Sequence, residues 1–553
     1  MDEEKPKNKL RSSPWGPVLF TVLLLLICIP LQLALLQRNT RQMADDAMIS
    51  ARYARNLAWG RGLRYNLAPA GARPVEGYSN FLWTLGMALG ERWRLQPRVA
   101  TAAMGWASSL IAVMALGFWV RRRTGSSLAG LLSALVLASS LPWTLWAGQG
   151  LETPLFAALA LLAVAVADPE RPRPYEYLFS FLACLTRPDG LIVAAAVLIP
   201  QLLHSHYGGA DTPVGPKAGD KSVPATDHFA DKGHDLRRLA RAAAWFLVPF
   251  AAYTIWRMVY FRALLPNVFY AKTGLGPRGV LIGAHYVTGW AAGQWPLFLL
   301  LLAGAAALLA GKRMSHERRA LAAPGMLAGL YMAFIISVGG DFMPDFRFMV
   351  HLMPVIIGMG AISLAGAAPS SAMTRKAVFA LAAVAALAWN AHQLVSYARG
   401  DSFARDWHQN QAVWYGRASS WLLRHSAPSD VIACGDIGYI GYVTGVDRIL
   451  DTNGLVDPYL AARPGAAALD SEPGYVLQQK PRFIVVMVHH FQDGAILGHS
   501  AFDRAVRADP ALGRDYTLAA QLPGWKSVEK SWGDGKTRTS MVRFRIYQRK
   551  DEG

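Results

Sequence analysis

Residues 17–36 read PVLFTVLLLLICIPLQLALL, an apolar run without a single charged side chain. The run is as long as the about 20 residues that a helix needs to cross a bilayer. A basic segment, KPKNKLR at 5–11, precedes it, and no small-residue cleavage site follows it. We therefore expect a retained first helix with its N-terminus in the cytoplasm.

Apolar runs of near-spanning length recur along the chain, which is 53% hydrophobic and only 17% charged. Together they predict a polytopic α-helical membrane protein with about eleven transmembrane helices. The short pair at 176–204 is compatible with two crossings or with a re-entrant hairpin, and both leave the other loops on the same side. The runs lie at about 15–36, 99–120, 126–146, 154–167, 176–187, 189–204, 241–260, 291–311, 322–338, 347–366 and 376–394.

The net charge of +19 comes from short basic clusters between the apolar runs rather than from one basic face. This pattern favours positive-inside topology over nucleic-acid binding. It places 121–123, 205–240, 311–319 and 375–376 in the cytoplasm. The segments 37–98, 147–153, 262–290 and 339–346, and everything after about 395, are then extracytoplasmic. The three cysteines lie far apart and indicate neither a disulfide framework nor a zinc site.

The chain divides into two predicted domains. Residues 1–394 form the transmembrane domain, with 37–98 as its first extracytoplasmic loop and 205–240 as a polar cytoplasmic insert that we expect to be irregular. Residues 395–553 alternate β-rich runs with helical stretches, which predicts an extracytoplasmic α/β domain.

Two adjacent acids, Asp45 and Asp46, open the first external loop. The apolar spacing after them predicts an amphipathic helix lying on the membrane surface. The acids either cap that helix or perform chemistry, and the sequence leaves both open. A sugar transferase needs a carboxylate that takes a proton from a hydroxyl or stabilises positive charge at the anomeric carbon.

Four cations on the predicted external side are candidates for holding a phosphate: Arg52, Arg187, Lys272 and Arg347. Simpler readings exist for some of them, because Arg187 and Asp189 could form an ion pair that closes a helical hairpin and Lys272 could snorkel to the interface. Glu152 either lines a site or marks a helix start before Pro154.

Residues 339–348 read GGDFMPDFRF and gather Asp341, Asp345, Arg347 and flexible glycines between two apolar helices. That density of charge in a membrane context indicates a functional site rather than a simple connection.

Several strings taken in order resemble the GT-C superfamily of polyprenyl-phosphate-sugar glycosyltransferases. Within it, they are most similar to the mycobacterial terminal β-arabinofuranosyltransferases that depend on decaprenyl-phosphoryl-arabinose, and to their bacterial relatives. The strings are DDA at 45–47, RYARN at 52–56, GRGL at 60–63, VEGYSNFLW at 75–83, GLETPL at 150–155, TRPDG at 186–190, LPN at 265–267 with YAK at 270–272, and GGDFMP at 339–344.

The resemblance implies a transferase that moves a sugar, arabinofuranose by its nearest likeness, from a polyprenyl-phosphate donor to a cell-envelope glycan or glycolipid. It implies a catalytic acid at Asp45 or Asp46. The remaining implied donor- and acceptor-binding residues are Arg52, Glu76, Glu152, Arg187, Asp189, Asn267, Lys272, Asp341, Arg347 and Asp436. It also implies a bacterial plasma membrane location, with the acceptor held between the two domains.

Paired acids permit a divalent cation, but no ligand spacing demands one. Two other function classes remain as alternatives. A non-catalytic envelope glycan-binding or assembly protein would keep the C-terminal domain. A transporter would show an internal inverted repeat, and none is visible in the sequence.

Overall fold

The computed structural model describes residues 15–39, 42–69, 73–207, 226–264, 266–267, 276–309, 315–367, 372–400, 403–461, 473–530 and 537–550. The N-terminal two thirds are helical, and a mixed sheet follows. The helices are α1 Trp15–Asn39, α2 Asp45–Ala58, α3 Phe81–Arg92, α4 Pro97–Thr124, α5 Ser127–Ala138, α6 Leu141–Gly148, α7 Thr153–Val166, α8 Pro174–Thr186, α9 Gly190–Tyr207, α10 Thr226–Phe261, α11 Gly276–Gly293, α12 Trp295–Leu309, α13 Ser315–Val338, α14 Arg347–Val350, α15 Met353–Ala367, α16 Ala372–Arg399, α17 Phe403–His425, α18 Gly438–Thr444, α19 Pro458–Ala461, α20 Pro473–Gln478, α21 Ala501–Ala508 and α22 Pro510–Asp515.

Among the described residues, five helices are long and apolar enough to cross a membrane, or up to seven spans if each of two bent pairs counts as one. The pairs are α5 with α6, bent by 60°, and α11 with α12, bent by 106°. Pro142 and Pro296 stand at the second position of the later helix in each pair. The first turn of a helix tolerates the missing proline N–H, whereas a helix that continued through this position would lose a hydrogen bond. These helices fit the predicted polytopic membrane protein.

The count of eleven crossings stays a prediction, because several of the predicted runs form shorter helices. Apolar helices of ten to seventeen residues occur at Thr153–Val166, Gly190–Ser205 and Met353–Ala365. A helix of that length spans less than the about 30 Å of a hydrocarbon core.

The predicted irregular insert at 205–240 is wrong for its second half. Residues 226–240 belong to α10, which continues without interruption to Phe261. The polar composition that indicated a loop lies mainly in 208–225, which are outside the described residues.

The C-terminal sheet has the order β2-β1-β3-β6-β5, with β4 paired to β3. The first three strands run parallel and the later pairings are antiparallel. The strands are β1 Val431–Cys434, β2 Arg448–Asp451, β3 Phe483–Phe491, β4 Ile496–Gly498, β5 Tyr516–Lys530 and β6 Thr537–Arg549.

Helix α2 joins the bundle to the sheet domain, and its predicted location on the membrane surface stays a prediction. Most of its side chains are buried, including Met48, Ile49 and Tyr53, and it packs between α3 and α18. The apolar stripe that suggested a lipid contact instead contacts protein on both sides. The approach is close, since a Cβ at Gly438 would overlap the Asp45 carbonyl.

The loops predicted to share one side of the membrane contact one another at one end of the bundle. Ala44 donates its N–H to the Gln149 carbonyl at 2.9 Å, and Asn267 donates its N–H to the Glu76 carbonyl at 2.9 Å. His408 of α17 lies 2.8 Å from Asp345. The candidate site lies at this junction.

Candidate active site

Asp45 couples the first loop to the sheet domain. Its carboxylate accepts the backbone N–H of Gly438 at 3.0 Å and that of Tyr439 at 2.7 Å, and its own N–H donates to Gln411 Oε1 at 2.8 Å. Burial and the nearby Asp436 charge raise the pKa of Asp45 well above its ordinary value, although the two N–H groups act in the opposite direction. Both carboxylate oxygens are therefore occupied by backbone groups.

Asp46, the next residue, has a different environment. It is half-buried, and its carboxylate has no hydrogen bond or ion pair with any residue in the described ranges. Its charge interacts with Arg347, Asp436 and Tyr415. Of the two adjacent acids, Asp46 is thus the one whose oxygens have no partner among the described residues, and its charge interacts with both a cation and an acid.

A second group of charges is buried where α7, α8 and α9 meet. The Arg187 guanidinium donates from Nη1 to Glu152 at 2.7 Å and from Nε to Asp189 at 2.9 Å. Asn80 donates to the other Glu152 oxygen at 2.8 Å. Burial acts to raise the pKa of Glu152, but Arg187, Arg347 and Asn80 together hold it below its ordinary value. Glu152 is therefore a charged partner for the arginines.

Arg347 supplies the second buried guanidinium. Its Nε donates to Asp341 at 2.6 Å, and its guanidinium carbon lies 5.6 Å from the Trp146 ring centre and 5.4 Å from that of Phe348. The other N–H groups of Arg347 have no recorded acceptor among the described residues. Its charge interacts with Arg187, Glu152 and Asp46, which brings the two buried groups and the free acid together.

Two residues that the sequence did not indicate, Tyr331 and His351, contact the Asp189 partner of Arg187 directly or through each other. The Tyr331 hydroxyl lies 2.5 Å from Asp189 Oδ2 and 2.7 Å from His351 Nδ1. An ionised Asp189 can only accept, so Tyr331 donates to it and His351 Nδ1–H donates to the Tyr331 oxygen. An ionisable residue inside the apolar run 347–366 was the available signal for His351. Tyr331 gave none.

Two further missed residues lie on the sheet-domain side. The Tyr415 hydroxyl donates to Asp436 at 2.7 Å, and His408 Nε2 lies 2.8 Å from Asp345. Both belong to α17, which runs along the junction of the two domains. Burial is the largest influence on Asp436 and raises its pKa, against the hydrogen bond from Tyr415.

Arg52 contacts the sheet domain, and its predicted role in binding a phosphate stays a prediction. It is 2% exposed and donates to the backbone carbonyls of Tyr65, Gly441 and Val446. Its guanidinium also stacks on the Tyr65 ring, 4.4 Å from the centre. These contacts hold the first loop against the sheet domain.

Glu76 and Asn267 also form structural contacts rather than joining the charged group. Glu76 makes a buried ion pair with Arg257 of α10. The Asn267 amide donates to the carbonyls of Gly454 at 2.6 Å and Leu455 at 3.1 Å. The predicted cation Lys272 lies outside the described residues.

The acidic side chains at the junction of the two domains are candidate ligands for a divalent cation. Across the described ranges, no three His, Cys, Asp or Glu side chains lie close enough together to hold a metal ion. Asp45 already uses both of its oxygens on backbone N–H groups. The pair Asp45 and Asp46 therefore does not fit a site in which both acids bind one cation.

These features define a polytopic helical membrane protein with a C-terminal sheet domain and a group of acids and arginines near their junction. The chain is 27% identical over 370 residues to the terminal beta-(1->2)-arabinofuranosyltransferase of Mycobacterium tuberculosis (strain ATCC 25618 / H37Rv). The matched region covers 59% of this chain and 53% of that protein. The chain thus spans about half the length of this curated relative. Residues 402–546 match a family model described as a domain of unknown function, DUF8728.

The match confirms the resemblance predicted from the sequence, and the relative is a glycosyltransferase, the enzyme class predicted for this chain. A solved structure, the apo-state crystal structure of ArnT from Cupriavidus metallidurans, is also similar. Its TM-score is 0.42 at 16% identity, covering 78% of this chain and 77% of that one, and a likeness at this level carries no argument.

Proposed function

We propose that this protein transfers a sugar, arabinofuranose in the first instance, from a polyprenyl-phosphate donor to a cell-envelope glycan or glycolipid. The observation that carries the proposal is the Asp46 carboxylate, which has no hydrogen-bond or ion-pair partner among the described residues and interacts with the buried cation Arg347 at the junction of the two domains. Similarity to an arabinofuranosyltransferase supports the choice of sugar.

Asp46 is the proposed general base. It takes the proton of the acceptor hydroxyl while that oxygen forms a bond to the anomeric carbon. The bond from this carbon to the phosphate oxygen breaks, and the electron pair leaves with the phosphate. A positioned base of this kind contributes about 10²–10⁴-fold to the rate.

Arg347 and Arg187 are the proposed phosphate ligands, together with Lys272. Each arginine is anchored through its Nε by a single aspartate, Asp341 or Asp189. This arrangement fixes the guanidinium planes before substrate binds, so that charge developing on the leaving phosphate meets donors that need no reorganisation.

The reaction is proposed to take place on the extracytoplasmic side, with about eleven crossings, residues 1–394 in the membrane domain and 395–553 outside. The contacts between the predicted external loops at one end of the bundle support this arrangement. A cysteine at the exposed position Gln492 should react with an impermeant maleimide in intact cells, and one at the exposed position Arg122 only after lysis. The native cysteines are all buried, which keeps the background low. The reverse labelling pattern would contradict the topology.

The function is tested by transfer of radiolabelled sugar from synthetic polyprenyl-phosphate donors by the purified protein in lipid vesicles. We expect transfer from the arabinofuranose donor, and a donor KM raised at least tenfold by Arg347→Lys, because lysine lacks the fork that binds a phosphate while anchored to Asp341. Arg514→Lys, an exposed arginine in the sheet domain, is the control. Failure to transfer any sugar would reject the proposed enzymatic activity and favour the alternative, a glycan-binding protein.

A further inference from the structure

The sheet domain contains a cavity of ≈ 220 Å³, and Asp436 contributes to its lining. Its lining includes the end of β1, the residues Asp436 and Asn453 that follow β1 and β2, parts of β3 and β6, and the turn that carries His499. It lies next to the candidate active site, because Asp436 interacts with Asp46.

The strand order explains why a cavity forms here. Strand β1 is paired in parallel with β2 on one side and β3 on the other, so the chain leaves β1 in one direction and later returns on its opposite side. Connections that diverge in this way open a crevice beyond the carboxyl ends of the strands, where open parallel sheets bind their ligands.

Hydrogen-bonding groups line one side of the cavity. Asp436 accepts from Tyr415 with Oδ2 only, and Asn453 donates from its amide nitrogen to the Gly435 carbonyl at 3.0 Å. His499 uses Nδ1 in a contact of 2.8 Å with His489. The second oxygen of Asp436, the amide oxygen of Asn453 and Nε2 of His499 have no recorded partner in the part of the chain that is described.

The opposite side is apolar. Val485, Met487 and Phe544 contribute to the lining, and Trp525 packs behind Phe544 with its ring centre 6.1 Å away. A cavity with one polar and one apolar side matches a sugar ring, which presents hydroxyl groups at its edge and C–H groups on its face.

The charge of the lining disfavours an anionic ligand. Asp436 and Asp503 are acidic, and none of the described residues that line the cavity is an arginine or a lysine. The two backbone N–H groups at the start of α18, Gly438 and Tyr439, are already bound by the Asp45 carboxylate. The cationic groups that suit a phosphate, Arg187 and Arg347, belong to the membrane domain. The membrane domain and the sheet domain therefore favour different ligands at their junction.

The volume of the cavity suits a ligand part of about one ring. At about 30 Å³ per water molecule the cavity equals roughly seven waters, and it is smaller than the about 300–1,000 Å³ of pockets that enclose drug-sized ligands. We propose that this cavity binds one uncharged sugar residue of the acceptor, held by Asp436, Asn453 and His499 against Phe544. The assignment of this sugar to the acceptor rests on the proposed function, whereas the presence of a sugar-binding site does not.

The test measures sugar binding and transfer separately on the full-length protein in lipid nanodiscs. Binding of methyl arabinofuranoside is followed by saturation-transfer NMR, with arabinose 5-phosphate as the charged competitor. Transfer is measured with a polyprenyl-phosphate arabinofuranose donor and an octyl arabinofuranosyl disaccharide acceptor. The variants are Asn453→Ala and His499→Ala. His499 is exposed, so its substitution should not impair folding. Gln521→Ala, exposed on β5, is the matched control.

We expect each cavity variant to raise the acceptor KM about fivefold to tenfold and to weaken glycoside binding by a similar factor, as loss of one hydrogen bond does. The donor KM should stay within twofold of the wild type, and the phosphate sugar should not compete. Glycoside binding unchanged in both variants, or a donor KM that rises instead, would overturn the proposal, as would equal binding of the phosphate sugar. Glycoside binding in the cavity without transfer from any donor would reject the proposed enzyme but retain the sugar site.

Discussion

Substitution of the two adjacent acids should have separable effects, although they are neighbours in the chain. Asp46→Asn removes a carboxylate that makes no hydrogen bond or ion pair among the described residues, so we expect unchanged stability. The loss of a general base should lower kcat about 10²–10⁴-fold.

Asp45→Asn should act mainly on stability. An asparagine has a single side-chain oxygen, so one of the two N–H groups of Gly438 and Tyr439 loses its acceptor. A buried N–H without a partner costs about 1–3 kcal/mol. We therefore expect Tm to fall by several degrees, with kcat lowered less than tenfold.

Both variants should be measured side by side, by thermal unfolding in detergent and by single-turnover transfer of labelled sugar in vesicles. Single-turnover rates separate the chemical step from product release. The reasoning is refuted if Asp46→Asn retains more than a tenth of the wild-type rate. An Asp45→Asn protein with unchanged Tm and no transfer would move the base to Asp45.

Three other substitutions test the structural contacts. Arg52→Lys exchanges a guanidinium that donates to three carbonyls for one ammonium group, so limited proteolysis should release the sheet domain faster than in the exposed control Arg61→Lys; equal rates would contradict a docking role. Glu76→Gln leaves the buried Arg257 unpaired and should cost about 3–5 kcal/mol, most of which Arg257→Met in the same chain should restore; an additive double variant would contradict the pairing. Burial raises the pKa of Asp451 from its ordinary 3.8 to about 7, so the folded state binds this proton more tightly than the unfolded chain, and its contribution to stability is complete below about pH 4 and lost as the pH rises through 7. Its slope is at most about 1.4 kcal/mol per pH unit, and a plot of Tm against pH should be flatter for Asp451→Asn; an unchanged slope would contradict the shift.

The helical part of the fold could be predicted well because its signal is local. Each predicted apolar run lies, where the structure describes it, in one helix or in two successive helices, since burial of backbone polar groups in lipid leaves few other structures. The sequence did not predict how far each helix continues without a break. Pro142 and Pro296 mark where two runs bend, but the angles depend on packing with neighbouring helices.

The candidate site was only partly predictable. Charges in or beside the membrane are costly without a partner, and this reasoning selected Glu152, Arg187 and Arg347, which the structure brings together. The same reasoning selected Arg52, whose partners are backbone carbonyls of the distant sheet domain. Sequence spacing does not distinguish an arginine that binds a ligand from one that binds a carbonyl, because both are buried and both need acceptors.

The bond between Asp45 and Gly438 joins residues 393 positions apart in the chain. At about 5–20 residues per second, the ribosome needs roughly 20–80 s to travel from one to the other. During that interval the first helices insert in the membrane while α2 has no sheet domain to pack on. The Asp45 carboxylate then lacks the backbone N–H groups of Gly438 and Tyr439, so this contact between the first loop and the sheet domain forms only after the last domain has folded.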